Sequence, residues 1–402
     1  MKKLFEKIIE GILMISGTVT TLTVLLIIFF LFKEGVGLFG KTPTEDGFIV
    51  AVNHQNPVEK LSPDQVKNIF DQNITNWKEV GGQDDSIVLF RMDDLFSYYT
   101  EEELAGIDTN MNLLASKIDE VVDNNKGVIA FISSKEIPAN HHSKLVRIES
   151  IGLGSFFGGE EWYPTAQPVA QFGIYPLLMG TLWVSFLAIL IALPFGLAAA
   201  VYMAEIADPK VRGVLKPVIE LLAGIPSVVY GFFGLIVIVP LVQETFGLPV
   251  GETGLTGSIV LAIMALPTII TVAEDAISRT PRSVKEASLA LGASHWQTIY
   301  RIVIPFASSG ITAAVILGIG RAIGETMAVL MVTGNAAVVP HSMLEPMRTI
   351  PATIAAELGE AAKGSLHYDA LFALGCVLFI ITMVVNITVE MMSGKRSKNK
   401  LR

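Results

Sequence analysis

The stretch GIGRAIGETMAV, residues 318–329, places an arginine and a glutamate four residues apart inside an apolar run. In a helix that spacing puts Arg321 and Glu325 on one face. A lone charge in hydrocarbon costs at least about 2.5 kcal/mol, so such residues face a cavity or one another. A guanidinium holds an oxyanion through two parallel hydrogen bonds, and a carboxylate at i+4 can receive it once the anion has left. The pair therefore reads as a gated anion site, with Thr326 beside it. It reads equally as a structural ion pair with no ligand contact, and one residue can do both at different times. Gly318, Gly320 and Gly324 let a neighbouring helix or a substrate approach closely. Ser227 and Asn335 are further polar candidates for the lining of such a path, with helix packing the plainer role for each.

Other chemistry is excluded. No GxxxxGK[ST] phosphate loop occurs in the chain, so ATP hydrolysis by that route is not available to it. The single cysteine, Cys376, rules out an intramolecular disulfide or a cysteine-rich metal site, and in its apolar run it reads as inert filling. No residue is singled out as catalytic, and no metal or cofactor is expected on the chain.

A second constellation lies between Ser283 and Pro305, SVKEASLALGASHWQTIYRIVIP. Glu286, Ala287 and Ser288 are followed after three residues by Gly292 and Ala293, and after nine more by Ile302, Ile304 and Pro305. This spacing resembles the EAA loop of ABC importer permeases, with Ser288 for the third alanine and Ile304 for a leucine. Small residues let a short helix sit deep in a partner's cleft, and Gly292 permits a tight turn. Glu286 near the helix start is favoured by the helix dipole and can meet a basic partner residue. The alternative is an amphipathic surface helix without a partner.

The elements that must position these groups are membrane helices. Of 402 residues, 51% are hydrophobic and 17% charged, against about 25% charged in soluble domains. Mean hydropathy is +0.55, and 35 glycines with 19 prolines suit broken membrane helices. A span needs about 20 apolar residues. Six stretches qualify: Gly11 to Phe32, Gly173 to Met203, the run between Glu220 and Glu244, the run between Glu252 and Glu274, Ile302 to Val332, and Ala370 to Val389. The first follows Lys2, Lys3 and Lys7, lacks a small-residue cleavage site, and reads as an anchor.

Charge is unevenly spread. Residues 41–170 carry 10 Lys and Arg against 21 Asp and Glu, and the rest of the chain 19 against 17, within a total of −9. That balance argues against a nucleic-acid footprint. The positive-inside rule puts both basic termini in the cytoplasm, with loop 204–219 (Lys210, Arg212, Lys216) and loop 275–301 (Arg279, Arg282, Lys285, Arg301). Residues 41–170, the loop around Glu244 and Glu252, and segment 334–368 are then expected outside.

RAIGETMAV with TGN at 333–335, AGIPSVVYGFFGL at 223–235 and EWYPTAQ…FGIYPLLMGTL at 161–182 together resemble the PstC-type permease subunit of phosphate ABC importers. The resemblance covers about three quarters of the chain. It implies an all-α membrane protein with a type I importer (MetI-like) core and six spans, carrying a small α/β insert. It also implies phosphate import with a second permease subunit of PstA type, two PstB-type ATPase subunits holding ATP and Mg, and an extracytoplasmic PstS-type binding protein. Arg321 and Glu325 match charged positions that this family places in the translocation path.

The expected division is 1–40 (N-terminal end and first span), 41–150 (insert) and 151–402 (permease core, with the EAA coupling loop at 279–305). The insert alternates strand-like runs, Gly47 to Val52, Ser86 to Phe90 and Val128 to Ile132, with a helix at Ser62 to Phe70. Ser62, Pro63 and Gln65 form an N-cap, a first-turn proline and a capping-box partner. NPVEKLSPDQVKNIFDQNITNWKEVGG (56–82) and NNKGVIAFISSKEI (124–137) resemble one lobe of the phosphate-binding protein. Where that protein follows an arginine with G-S-G-T, whose amides hold the anion, Arg91 is here followed by Met92, Asp93 and Asp94. About 110 residues also cannot supply two lobes, so a docking platform or gate cover is expected rather than a phosphate site, with inert decoration as the plainer alternative. The rival readings are a permease for sulfate or molybdate, and a receptor-like membrane scaffold with the insert as sensor.

Overall fold

The computed structural model describes residues 2–44, 47–91, 94–100, 102–104, 111–138 and 140–398. The chain forms two compact units, one of residues 36–173 with 364–369 and the other of 1–35, 174–363 and 370–402. It opens with the long helix α1 (Lys2–Val36), which contains the first expected span.

The smaller unit is built on strands β1 (Phe48–Val52), β2 (Lys60–Leu61), β3 (Val88–Phe90), β4 (Val128–Ser133) and β5 (Lys144–Ile148), in the order β2-β5-β1-β4-β3. The central strand β1 pairs antiparallel with β4 and β5, with Val50 opposite Phe131 and Val146. Its sequence FIVAV is apolar at every position because both faces are covered. Val50 and Val52 pack on Leu61, Val66, Ile69 and Trp77, while Ala51 faces Ile118, Val122 and Ala130 on the other side.

The helices of this unit are α2 (Pro63–Phe70), α3 (Leu95–Tyr98), α4 (Met111–Asn124) and α5 (Leu153–Gly158). The expected capping box is formed: Gln65 N–H donates to Ser62 Oγ at 3.2 Å, and Ser62 N–H to Gln65 Oε1 at 2.9 Å. A short pair, β6 (Trp162–Tyr163) with β7 (Gln171–Phe172), closes the unit. Residues 151–173 thus pack here and not, as the sequence reading has it, in the permease core. Ile151 N–H donates to Lys41 O, the Phe156 ring meets Phe39 edge-on, and Gly173 N–H donates to Glu161 O.

The larger unit continues with α6 (Tyr175–Val201), α7 (Pro209–Ala223), α8 (Ser227–Phe233), α9 (Val239–Phe246), α10 (Gly254–Ser278), α11 (Arg282–Ala290), α12 (His295–Thr298), α13 (Ile304–Phe306), α14 (Ser308–Ile323), α15 (Met327–Val332), α16 (Ile350–Glu357) and α17 (Leu366–Lys398). Among the described residues, five stretches of helix are long and apolar enough to cross a membrane: Ile9–Val36, Tyr175–Ile206, Ser227–Phe246, Gly254–Ser278 and Leu366–Met391. A sixth arises if the pair His295–Phe306 and Ser308–Ile323, bent by 70°, is one span.

That fifth span in chain order differs from the expected single helix over Ile302 to Val332. It bends at Ala307, just after Pro305, whose ring displaces the carbonyl four residues back and which has no N–H to give. It breaks again at Gly324–Thr326, where Gly324 caps α14. Two smaller corrections follow the chain. Glu220 lies in α7, which is a separate helix ended by Gly224 and Pro226, and α10 runs one turn past Glu274.

Small residues let α6, α10 and α14 approach closely. Ala188, Ala192, Ala262, Ala265 and Ala322 are fully buried between them. A Cβ added at Gly196 or Gly318 would come within 2.8 Å of the Ile269 side chain.

Candidate functional site

Arg321 lies in the last turn of α14 and is half-buried. Its turn is held by Ala322, which packs on α6 and α10 and whose carbonyl accepts from Ser185 Oγ at 3.3 Å. The guanidinium reaches one side chain, Thr268 Oγ1 on α10, at a long 3.5 Å. No carboxylate lies within 4 Å of it among the described residues. Of the two readings of Arg321 and Glu325, the structural ion pair on one helix face is not formed. Helix α14 ends at Ile323, Glu325 falls in the break, and its Oε1 accepts from Ala328 N–H at 3.3 Å, capping α15.

Thr326 is in the same break and donates to Gly324 O at 3.3 Å. Gly324 and Thr326 line an open cleft of about 480 Å³ together with residues of α16 and α17. Asn335 sits just beyond the other end of α15 with a left-handed φ of 53°. Its Nδ2 donates to Leu330 O at 2.7 Å, while its Oδ1 is buried without a partner. Ser227, half-buried, opens α8, which packs on α15 where Gly231 meets Ala328 and Met331. Arg321, Glu325 and Thr326 are thus gathered at one break, whereas Asn335 lies past the far end of α15 and Ser227 at the start of α8, which packs on α15.

The loop after α10 presents the second constellation. Glu286 and Ala287 are exposed on α11, and Ser288 Oγ lies 3.0 Å from Thr298 Oγ1. Gly292, with φ of 87°, turns the chain through a paired cap: its N–H donates to Leu289 O and that of Ala293 to Ser288 O. A capping box of Ser294 and Gln297 then starts α12. Leu291 is 90% exposed and Trp296 60%, an apolar surface that motif spacing alone does not single out.

Sequence reading also missed two ion-pair clusters next to this loop. Glu274, with 0% of its side chain exposed, lies between Arg212 and Lys216 of α7, and Lys216 Nζ reaches Asp275 Oδ1 at 2.9 Å. Hydrogen bonds to Glu274 and then Asp275 push the Lys216 ammonium above its usual pKa. Arg212 and Lys216 are four apart on α7 and share a face, which is the signal that could have found them. Lys285 of α11 pairs with Glu205 at the end of the α6 span, so α11 is tied back to the membrane helices.

In the smaller unit, Arg91 N–H donates to Asp94 Oδ2 at 2.8 Å. A carboxylate of the chain thus occupies the amide that would otherwise be free for an anion; Met92 and Asp93 lie outside the described residues. Asp119 is buried, which opposes its ionisation, but N–H groups of His142 and Ser143 at 2.9 and 3.0 Å outweigh this and hold its carboxyl below the usual pKa.

Residues 192–397 match the family of binding-protein-dependent transport system inner membrane components, and residues 44–182 match the PBP superfamily domain. The chain is 40% identical to the "Probable ABC transporter permease protein YqgH" of Bacillus subtilis, over 60% of this chain and 78% of that one. It is 38% identical to the phosphate transport system permease protein PstC of Mesorhizobium japonicum, over 58% and 75%. Among solved structures, the inward-facing MetNI methionine ABC transporter is similar at 19% identity, covering 56% of this chain and 94% of that one with a TM-score of 0.42.

Proposed function

The chain belongs to the binding-protein-dependent transport system inner membrane components, and from that premise we propose that it is the PstC-type permease subunit of an ATP-driven phosphate importer. The observation that carries the reading is Arg321, a half-buried guanidinium beside a break in a membrane helix, with its i+4 carboxylate engaged elsewhere. Such a group can offer a tetrahedral oxyanion two parallel hydrogen bonds. Thr326 and, along α15 and α8, Asn335 and Ser227 would line the rest of the path.

Alternating access would be driven from outside the chain. We assign Glu286, Ala287, Ser288, Gly292 and Ala293, with exposed Leu291 and Trp296, to docking of one of two PstB-type ATPase subunits, which would hold ATP and Mg. A PstA-type subunit would complete the path, and a PstS-type binding protein would deliver phosphate. Lysine and arginine in loops 204–219 and 275–301 support cytoplasmic termini and an extracytoplasmic segment 41–170. The Asp94 carboxylate on Arg91 N–H speaks against a sensor role for that segment.

ATPase activity of the assembled complex, with the binding protein and each anion in turn, tests the reading. Phosphate is expected to stimulate turnover, and sulfate and molybdate are not. Stimulation by sulfate or molybdate in place of phosphate would move the assignment to that oxyanion, and no stimulation by any of them would remove it.

A further inference from the structure

In the smaller unit, the run Ser150–Gly159 (SIGLGSFFGG) carries no charge, although the surrounding residues 41–170 are strongly acidic. It contains α5. Phe156 points inward and is 1% exposed, while Leu153 and Phe157 stand 63% and 45% exposed. Their i, i+4 spacing puts them on one face. An outward Leu–Phe pair on an uncharged, glycine-rich turn of helix would be a liability in water.

Contacts within this unit tie α5 to the points where its chain meets three candidate spans. The helix of the first span ends at Val36, and the chain then turns tightly, Phe39 N–H donating to Val36 O and Lys41 N–H to Leu38 O. Such a turn keeps its ends within about 7 Å. The start of α5 is pinned to that turn: Gly40 N–H donates to Ile151 O, Ile151 N–H to Lys41 O, and Phe39 packs edge-on against Phe156 at 5.4 Å. Lys41 Nζ in turn holds Asp369 Oδ2, in the first turn of the last span, at 2.6 Å. Beyond the other end of α5, a Cβ on Gly159 would come within 2.7 Å of Gly173 Cα, two residues before the second span begins at Tyr175. Residues 36, 173 and 369, where this unit's chain leads into or out of three candidate spans, are therefore tied to α5 by contacts within the unit. The headgroup layer beside such chain entries is roughly 5–8 Å thick on each side of the hydrocarbon.

We propose that α5 is an interfacial membrane contact, with Leu153 and Phe157 inserted at the boundary between headgroups and acyl chains. The partner is the lipid surface, and the contact is apolar. The acidity of residues 41–170 works against anionic headgroups, so zwitterionic lipid suffices. The inference is independent of what the protein transports.

The test uses the assembled complex in phosphatidylcholine nanodiscs. Single cysteines, Leu153→Cys, Phe157→Cys and Phe96→Cys, are introduced in a Cys376→Ser background and labelled with an environment-sensitive fluorophore. Phe96, 70% exposed on α3, is the control. Lipids brominated near the top of the acyl chain are expected to quench positions 153 and 157 severalfold more than position 96, with blue-shifted emission. Quenching at 153 and 157 no greater than at 96 overturns the proposal. So does a blue shift at 153 and 157 that arises only on adding the binding protein, since α5 is then a protein-docking surface. Far-ultraviolet dichroism of each labelled variant ensures that the fold is retained.

Discussion

At Arg321 the guanidinium has one long contact, to the Thr268 hydroxyl, and its i+4 carboxylate caps α15 instead. Hydrogen bonds to charged groups contribute about 1.5–3 kcal/mol each. Losing two to a bound anion, Arg321→Ala should lower uptake about 100-fold or more, a factor of ten for each 1.4 kcal/mol. Arg321→Lys keeps the charge but loses the planar fork, so it should fall between the two. Radiolabelled phosphate uptake measures this, with copurification of the other subunits as the control for assembly; normal uptake by Arg321→Ala would remove the residue from the path. A different residue sets the acid response of the smaller unit. Asp119 is held below the usual carboxylate pKa in the folded state, so its stabilising contribution is complete above about pH 4. It is lost as pH falls through the lowered value. Fluorescence of the buried Trp77 should report a shallower acid-unfolding slope below pH 4 in Asp119→Asn than in the parent.

Among the elements, α7 and α10 are joined through Glu274, and the partners of that pairing are unequal. Glu274 is wholly buried, whereas Arg212 and Lys216 are partly exposed. Removing the carboxylate lets both cations turn toward water. Removing both cations strands a buried charge, which costs about 3–5 kcal/mol. Arg212→Ala with Lys216→Ala should therefore lower the thermal unfolding temperature of the purified complex more than Glu274→Ala does; the reverse order would show that the pairing is not what joins the helices. The same elements show what could be read in advance. Residue periodicity and caps located α2 and the spans of α6 and α10, because each depends on neighbours in sequence: Ser62 on Gln65, an unbroken apolar run on itself. The gap between α14 and α15 is marked in sequence only by Gly324, which caps α14 but serves close helix packing just as well, and so RAIGETMAV read as one helix. Glu274 read as a span boundary because its partners lie about 60 residues away on α7. Of the candidate site, the residue types at 321, 325 and 326 were legible; which of them pair was not.

Across the whole molecule, charge divides as the fold does. Residues 41–170 carry 10 basic against 21 acidic side chains, and the remainder 19 against 17. A field of that sign repels a phosphate dianion, so it cannot be the device that gathers the substrate. Its reach is about 10 Å at 0.1 M salt and about 3 Å at 1 M, enough to orient a protein-sized partner but not to hold it. If the segment receives the loaded binding protein through a basic surface, salt should act on association and leave dissociation nearly unchanged, because steering enters through the encounter rate. The measurement is binding-protein association with the nanodisc complex at two ionic strengths. We expect the on-rate to fall about tenfold or more between 0.05 and 0.5 M salt. Replacing the exposed Asp84 and Glu149 with their amides should flatten that dependence without changing the folded structure. An on-rate insensitive to both salt and these substitutions would mean that the segment's charge takes no part in receiving the carrier, which removes the electrostatic argument for docking there.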